Sequence, residues 1–267
     1  MSNTGSSLAR RLFISIQWHR NQWLAWFYRI RNRKKLRILI YSDSRGLNLV
    51  GRFGKTEQHT YVTILRQKFH CTYVLSPYSH TTIIDFLNDC SSTAADFDAV
   101  LLHCGVVDFS PRPLSNLESV QNEKRSSAIF KMVFDANQEY YSKPWPATFR
   151  GEETINLYSK DYLVSEIMPK LHGIPNLIWI SSNDFVQGWD GNYLGGRPPN
   201  IQSVVRSYDE TISNGLDHVI DLHAWRLENV RRLTIDNIHF TPQGFELVAD
   251  LAELAIKSIC THGTSSS

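Results

Sequence analysis

Five short apolar runs, separated by stretches with helical spacing, most constrain what this chain can become: Leu36–Tyr41, Cys71–Leu75, Phe97–Cys104, Leu177–Ser181 and His218–Leu222. Runs of this length, rich in β-branched and aliphatic residues, read as buried strands. Between them, residues 55–69 place Tyr61, Ile64, Leu65 and Phe69 on one helical stripe. Further helices are expected from Thr81 onward with Thr81 or Thr82 as cap, near 118–134, over 158–171, over 201–214 with a stop at Gly215, and over Pro242–Ile259. For the last of these, Thr241 is the N-cap and Pro242 takes the first helical position. Strands that alternate with helices form a parallel sheet covered on both faces.

Two connections are too long to be mere links. Residues 110–155 are punctuated by Pro111, Pro113, Pro144 and Pro146; beyond the one helix, the stretch is expected to be loop, carrying Tyr140, Tyr141, Trp145 and Phe149. Asp184–Asn200 contains GWDGNYLGGRPPN and reads as a surface loop. Long loops commonly carry function, and open α/β sheets bind ligands at the carboxyl ends of their strands.

With 42% apolar and 20% charged residues, the 267-residue composition excludes a disordered chain and a membrane bundle. Charge is unevenly spread. Residues 1–35 hold eight Lys/Arg and no Asp or Glu, while the remainder holds 20 basic and 26 acidic residues, a net of −6. An acidic body argues against nucleic acid as a partner, although the basic N-terminus alone could act as a nucleic-acid arm. Leu12–Trp18 and the cluster Trp23, Leu24, Trp26, Phe27, Tyr28 are too short to span a bilayer. Their mixture of aromatic and basic residues suits either membrane-surface contact through residues 8–35 or a helix packed on the domain itself. No small-residue cleavage site follows the first run, so a cytoplasmic protein, peripheral at a membrane if the segment meets lipid, is the expectation. The four cysteines form no CxxC or Cys/His cluster; buried free thiols and no metal site are expected. The division read from the sequence is a basic aromatic segment 1–35, a domain 36–260 and a disordered tail 261–267, with Met1–Ser7 and Thr261–Ser267 as frayed termini.

Three polar segments fall beside the ends of expected elements: Ser42-Asp43-Ser44-Arg45-Gly46 after the first strand, Gly105-Val106-Val107-Asp108 after the third, and Asp236-Asn237-Ile238-His239 before the last helix. A serine hydroxyl becomes nucleophilic when a histidine takes its proton, and a carboxylate can fix that histidine's tautomer. Taken singly, each residue has a plainer reading. Ser44 or Asp43 could cap a helix, Asp236 and Asn237 could form a turn, and His239 could be a satisfied histidine. Asp108 reads as a loop-orienting carboxylate, Arg45 as a surface charge or an anion contact, and His103 as core or support. Trp145, Trp189 and Tyr193 could stack on a sugar or simply pack.

Together the segments resemble the SGNH/GDSL hydrolases, a flavodoxin-like family of esterases, lipases and carbohydrate deacetylases. Ser42-Asp43-Ser44 is similar to its Gly-Asp-Ser block, and Asp236-Asn237-Ile238-His239 to its Asp-x-x-His block. The resemblance covers roughly residues 36–260. It implies a three-layer sandwich around a five-stranded parallel sheet, with Ser44 as nucleophile, His239 as base and Asp236 as acid. The family's Gly-x-Asn-Asp block has Val107 where asparagine donates to the oxyanion, and the stretch Pro77–Thr81, where a glycine N–H is usual, has no glycine. Gly105, Asp108 and Asn183 are the candidate oxyanion or supporting groups, with Ser79 and His80 as further candidate donors. Arg45, Trp189 and Tyr193 are the candidate substrate contacts. The implied activity removes an acyl group, acetyl by preference, from a carbohydrate or similar hydroxylated ester, without cofactor. Two alternatives remain: O-acyl transfer to a glycan by the same triad, and a binding protein on an inactive hydrolase fold.

Overall fold

A computed structural model of the chain describes residues 4–49, 57–75 and 80–262. The expected donor Ser79 and the outermost termini lie outside the described residues, while His80, the other expected donor there, meets the Glu123 carboxylate through Nδ1 at 2.8 Å. Five parallel strands, β1 (Arg37–Ser42), β2 (His70–Leu75), β3 (Ala99–His103), β7 (Leu177–Ile180) and β8 (His218–Ile220), pair in the order β2-β1-β3-β7-β8. Counted along this sheet alone, the order is 2-1-3-4-5, the flavodoxin-like arrangement.

The strands read as continuous apolar runs because both faces are buried. Leu39, Tyr41, Val100, Leu102 and Trp179 point into one apolar layer. Ile38, Ile40, Leu101, Ile178, Ile180 and Ile220 point into the other. Alternation with a period of two divides each strand between the layers. The second layer is closed by α2 (Tyr61–Lys68), through Tyr61, Val62 and Leu65, and by the C-terminal helix α8 (Pro242–His262), through Phe245, Val248, Ala249, Ala252 and Ile256. The first is closed by α3 (Ile83–Asp89), α4 (Leu114–Lys124), α5 (Ala128–Ala136), the helical stretch from Lys160 to His172 and α6 (Ile201–Gly215). Helix starts follow the expected chemistry. Thr82 caps α3 by accepting the Asp85 N–H, and Asp85 answers the Thr82 N–H, a capping box. Thr241 accepts the Gly244 N–H at 3.2 Å at the start of α8.

Four features differ from the sequence expectation. The helix expected near 118–134 is two helices, α4 and α5, separated by Arg125–Ser127. The stretch expected as loop contains a small antiparallel sheet of β4 (Arg112–Pro113), β6 (Glu152–Ile155) and β5 (Trp145–Phe149). Its hairpin turns on Arg150 and Gly151, at φ +57° and +83°. Positive φ at both central residues is the twist-matched two-residue turn. A further helix, α7 (Leu227–Leu233), lies between β8 and the Asp236 segment. Helix α8 runs to His262, past the expected start of the tail.

The N-terminal helix α1 (Thr4–Arg31) lies against α2 and β2. Its end is pinned by buried Asn32, whose amide donates to Arg66 O at 2.8 Å and Phe69 O at 3.0 Å. Among the described residues no helix is long and apolar enough to cross a membrane.

Candidate active site

The strand order reverses at β1 and β3, and the crevice such a reversal opens lies beyond their carboxyl ends. Ser44 follows β1 there, as the first residue of a 3-10 turn, Ser44–Gly46. Asp43 holds that turn in place. Its N–H donates to His103 O at 3.0 Å, tying it to β3, and its carboxylate accepts the Arg45 N–H at 2.9 Å. The same carboxylate takes the Arg45 guanidinium through Nε and Nη2, both groups being almost fully buried. Arg45 also donates to Ser182 Oγ at 3.2 Å. Despite its burial, the ion pair with Asp43 holds the guanidinium above its ordinary pKa. Arg45 is therefore a structural cation under the turn, which corrects its reading as a substrate contact.

Asp236 and His239 lie on the loop between α7 and α8. Its two ends are tied by a backbone bridge between Thr234 and Phe240 and by the Ile235 N–H donating to His239 O at 2.7 Å. Asn237 turns the loop at φ +68°, a conformation that asparagine tolerates better than most residues. Its side chain is anchored, with Oδ1 accepting the Val186 N–H at 2.8 Å and Nδ2 donating to Trp189 O. Asn183 donates to Asn237 O at 2.8 Å and to Asp184 O at 2.9 Å. With its amide so committed, Asn183 braces the loop and is not an oxyanion donor. Trp189 likewise supports the loop through its carbonyl, and its ring is not part of the cleft lining.

Three of the expected residues meet. Ser44 Oγ lies 2.9 Å from His239 Nε2, and His239 Nδ1 lies 2.7 Å from Asp236 Oδ2. Asp236 Oδ1 accepts the N–H groups of Ile238 at 3.0 Å and His239 at 2.8 Å. Burial alone would raise the Asp236 pKa; the hydrogen bonds from His239 and these N–H groups outweigh it and hold the carboxyl below its usual range. An ionised carboxylate only accepts, so Nδ1 carries the imidazole proton, leaving the Nε2 lone pair for the Ser44 hydroxyl.

The opposite wall comes from the turn after β3. Gly105, at φ +107°, packs so closely that a Cβ there would lie 2.8 Å from the Phe109 ring and 2.9 Å from Trp179. Asp108 is fully buried and accepts the Ile83 N–H at 3.1 Å and the Tyr158 hydroxyl at 2.9 Å. Burial pushes its carboxyl up to about 8 against these two hydrogen bonds. Gly105 and Asp108 thus fix the turn, while Val106 and Val107 line the cleft. His103 is core: its Nδ1 meets the Tyr61 hydroxyl at 3.0 Å and its ring stacks on Phe240.

The cleft, with a volume of about 300 Å³, is lined on its outer side by Arg112, Phe149, Arg150, Tyr193 and Arg197. Tyr193, an expected contact, stacks under the Arg197 guanidinium at 4.7 Å. Sequence reasoning missed Arg197, which also donates to Asp236 O and lies 3.8 Å from the Asp236 carboxylate. It missed Arg112 and Arg150 as well. The one available signal was Arg150-Gly151 between strand-like residues, a two-residue hairpin pattern.

No family model and no curated protein matches the chain. Solved structures similar to it include a lipase/acylhydrolase from Enterococcus faecalis, at 15% identity over 84% of this chain and 95% of that one, with a TM-score of 0.49. A psychrotrophic esterase from Pseudoalteromonas is similar at 15% identity over 84% and 98%, with a TM-score of 0.40. A phospholipase A1 from Streptomyces albidoflavus is similar at 11% identity over 79% and 95%, with a TM-score of 0.43. In its strand order and in the placement of the Ser44 and Asp236–His239 blocks, the chain resembles the SGNH/GDSL hydrolases.

Proposed function

We propose that the protein is a serine-dependent ester hydrolase that removes a short acyl group, acetyl by preference, from a hydroxylated substrate such as a carbohydrate. The continuous hydrogen-bonded path from Ser44 through His239 to Asp236 carries this reading. Ser44 Oγ attacks the ester carbonyl as His239 Nε2 takes its proton, and Asp236 stabilises the resulting imidazolium. The oxyanion takes hydrogen bonds from the Ser44 N–H and from backbone N–H groups of the Gly105–Val107 turn. As the tetrahedral intermediate collapses, His239 returns the proton to the leaving alcohol. Water, deprotonated by the same imidazole, then frees the acyl group from Ser44.

A small recess beside the cleft has an apolar side of Val107, Leu117, Val120 and Leu157, with Arg112, Asn116 and Asn156 at its polar side, and its small size supports a short acyl group. Phe149 and Tyr193 line the cleft with an arginine over one face of each ring, and the opposite faces would meet a sugar. Turnover of a chromogenic ester series from acetyl to octanoyl tests the reading. Turnover highest for the shortest chains and lost in Ser44→Ala supports it; turnover that survives the substitution refutes it.

The N-terminal helix supports a peripheral location at an anionic membrane. Ile16, Trp23, Trp26, Phe27 and Ile30 recur at helical spacing and are 40–59% exposed. Arg20, Arg29 and Arg31 flank them, and the first turn of the helix has no acidic residue. Aromatic rings favour the headgroup layer, and each basic residue adds about 1 kcal/mol near an anionic leaflet. The test is flotation with phosphatidylcholine vesicles, with and without phosphatidylglycerol. Binding that needs the anionic lipid and is lost in Trp23→Ser/Trp26→Ser supports the location; equal recovery with both vesicle types refutes it.

A further inference from the structure

The outer wall of the cleft carries three guanidinium groups, from Arg112, Arg150 and Arg197, whereas the single carboxylate in its described lining, Asp236, is engaged by His239. This is a local reversal of sign, because the chain outside the N-terminal segment is net −6. Two of the three cations have a counter-interaction. Arg197 is stacked on Tyr193, donates to Asp236 O and lies 3.7 Å from Asp190. Arg150 lies over the Phe149 ring at 5.1 Å and donates to Gly195 O at 2.9 Å.

Arg112 differs. Its Nε, like that of Arg197, is sealed from solvent without a hydrogen-bond partner, but among the described residues no carboxylate lies within ion-pair distance of the Arg112 guanidinium. Burial lowers its pKa, with Tyr193 and Asp108 opposing from a distance. Removing a cation from water without a partner is costly. The same fold neutralises its buried arginine, Arg45, which rests on Asp43 through three hydrogen bonds to the carboxylate oxygens at 2.9–3.2 Å, whereas the half-buried Arg112 has no carboxylate partner among the described residues. Arg112 is also fixed in place, on a strand paired with Ile155 and between two prolines, Pro111 and Pro113. A fixed guanidinium that no described carboxylate pairs, lining the cleft that holds Ser44, has the chemistry of an anion contact.

We infer that the cleft selects an ester bearing an anionic group, a carboxylate or a phosphate, which Arg112 binds with Arg150 and Arg197 beside it. The inference rests on the hydrolase reading for its reaction but not for its binding. It narrows the substrate from any acylated hydroxyl compound to an acylated acid or an acylated phosphate. Approach of such a substrate is also favoured by a positive cleft on a negative body.

The test is titration calorimetry on full-length Ser44→Ala protein with glycerol 3-phosphate, lactate and glycerol. The expected result is saturable binding of one or both anions, weakening as salt rises, with no heat from glycerol. Arg112→Gln in the same background should weaken anion binding about 10- to 100-fold, the value of a charged hydrogen-bond pair. Arg150→Gln, at an exposed residue that does not threaten the fold, should weaken it by a smaller factor. Preference for the phosphate or for lactate decides between the two anion sources. Absence of anion binding, or binding that neither substitution changes, overturns the inference. The hydrolase reading fails separately, if the wild-type serine does not react with an active-site probe while the anions still bind.

Discussion

Replacing Asp108 by asparagine should remove a specific pH dependence of stability. The carboxyl is fully buried, and burial pushes it up to about 8, against a value of 3.8 in water. Between these values the folded state holds a proton that the unfolded state has released. Stability is then fully present below the unfolded pKa and falls as pH rises toward the folded one. One proton corresponds to about 1.4 kcal/mol per pH unit, so raising pH from about 5 to about 7 costs the wild type about 3 kcal/mol through this group. For a chain of this size that is roughly a 5–10 °C fall in Tm. Asparagine is already neutral, and its Oδ1 can still accept from the Ile83 N–H and the Tyr158 hydroxyl, as Asp108 does. Urea denaturation at a series of pH values is the assay, comparing wild type with Asp108→Asn. The variant's curve should be flatter across this interval by about one proton. Parallel curves would show that Asp108 is ionised in the folded protein and would refute the reasoning.

Three further outcomes follow from the same geometry. Asp236→Asn should lower ester turnover by about 10³- to 10⁴-fold while leaving the fold intact, since it removes the charge that orients His239; an active variant in a kinetic assay would contradict the assigned role. Val107→Asn places an amide donor on the cleft wall where the resembling family has one, and should raise kcat by at least about tenfold against a chromogenic acetate ester. His223 lies between Asp184 at 2.7 Å and Asp209 at 3.3 Å; burial opposes its charge, but these carboxylates raise its pKa to about 9. Its stabilising contribution is present below the unfolded value of about 6.5 and is lost as pH rises through about 9, so the stability gap between wild type and His223→Gln, measured by denaturation, should shrink over that window by about 3 kcal/mol.

The central sheet was legible in the sequence because its strands are buried on both faces and appear as unbroken apolar runs, as in RILIYS and AVLLH. Ser44, Asp236 and His239 were legible because each belongs to a short local pattern at the end of an element. The remainder of the site was not. Arg45 read as a surface charge because nothing in the sequence reveals how deeply Asp43 draws it into the protein. Asn183 has the chemistry of an oxyanion donor, and only the path of the Asn237 turn commits its amide elsewhere. The β5–β6 hairpin was obscured by Pro144 and Pro146, which suggest loop, although its ladder shifts register between Trp145 and Thr148, where Pro146 is accommodated. Arg112, Arg150 and Arg197 come from a strand end, a hairpin tip and a Gly/Pro-rich loop, and only tertiary folding gathers them at one cleft.

The central claim is an activated serine at the end of β1. Treating the wild-type protein and Ser44→Ala with a fluorophosphonate probe, followed by peptide mass spectrometry, tests it without knowledge of the natural ester. The account predicts one modified residue, Ser44, with no labelling of the variant and slowed labelling in Asp236→Asn. A folded wild-type protein that stays unlabelled, or that is labelled elsewhere, would contradict it.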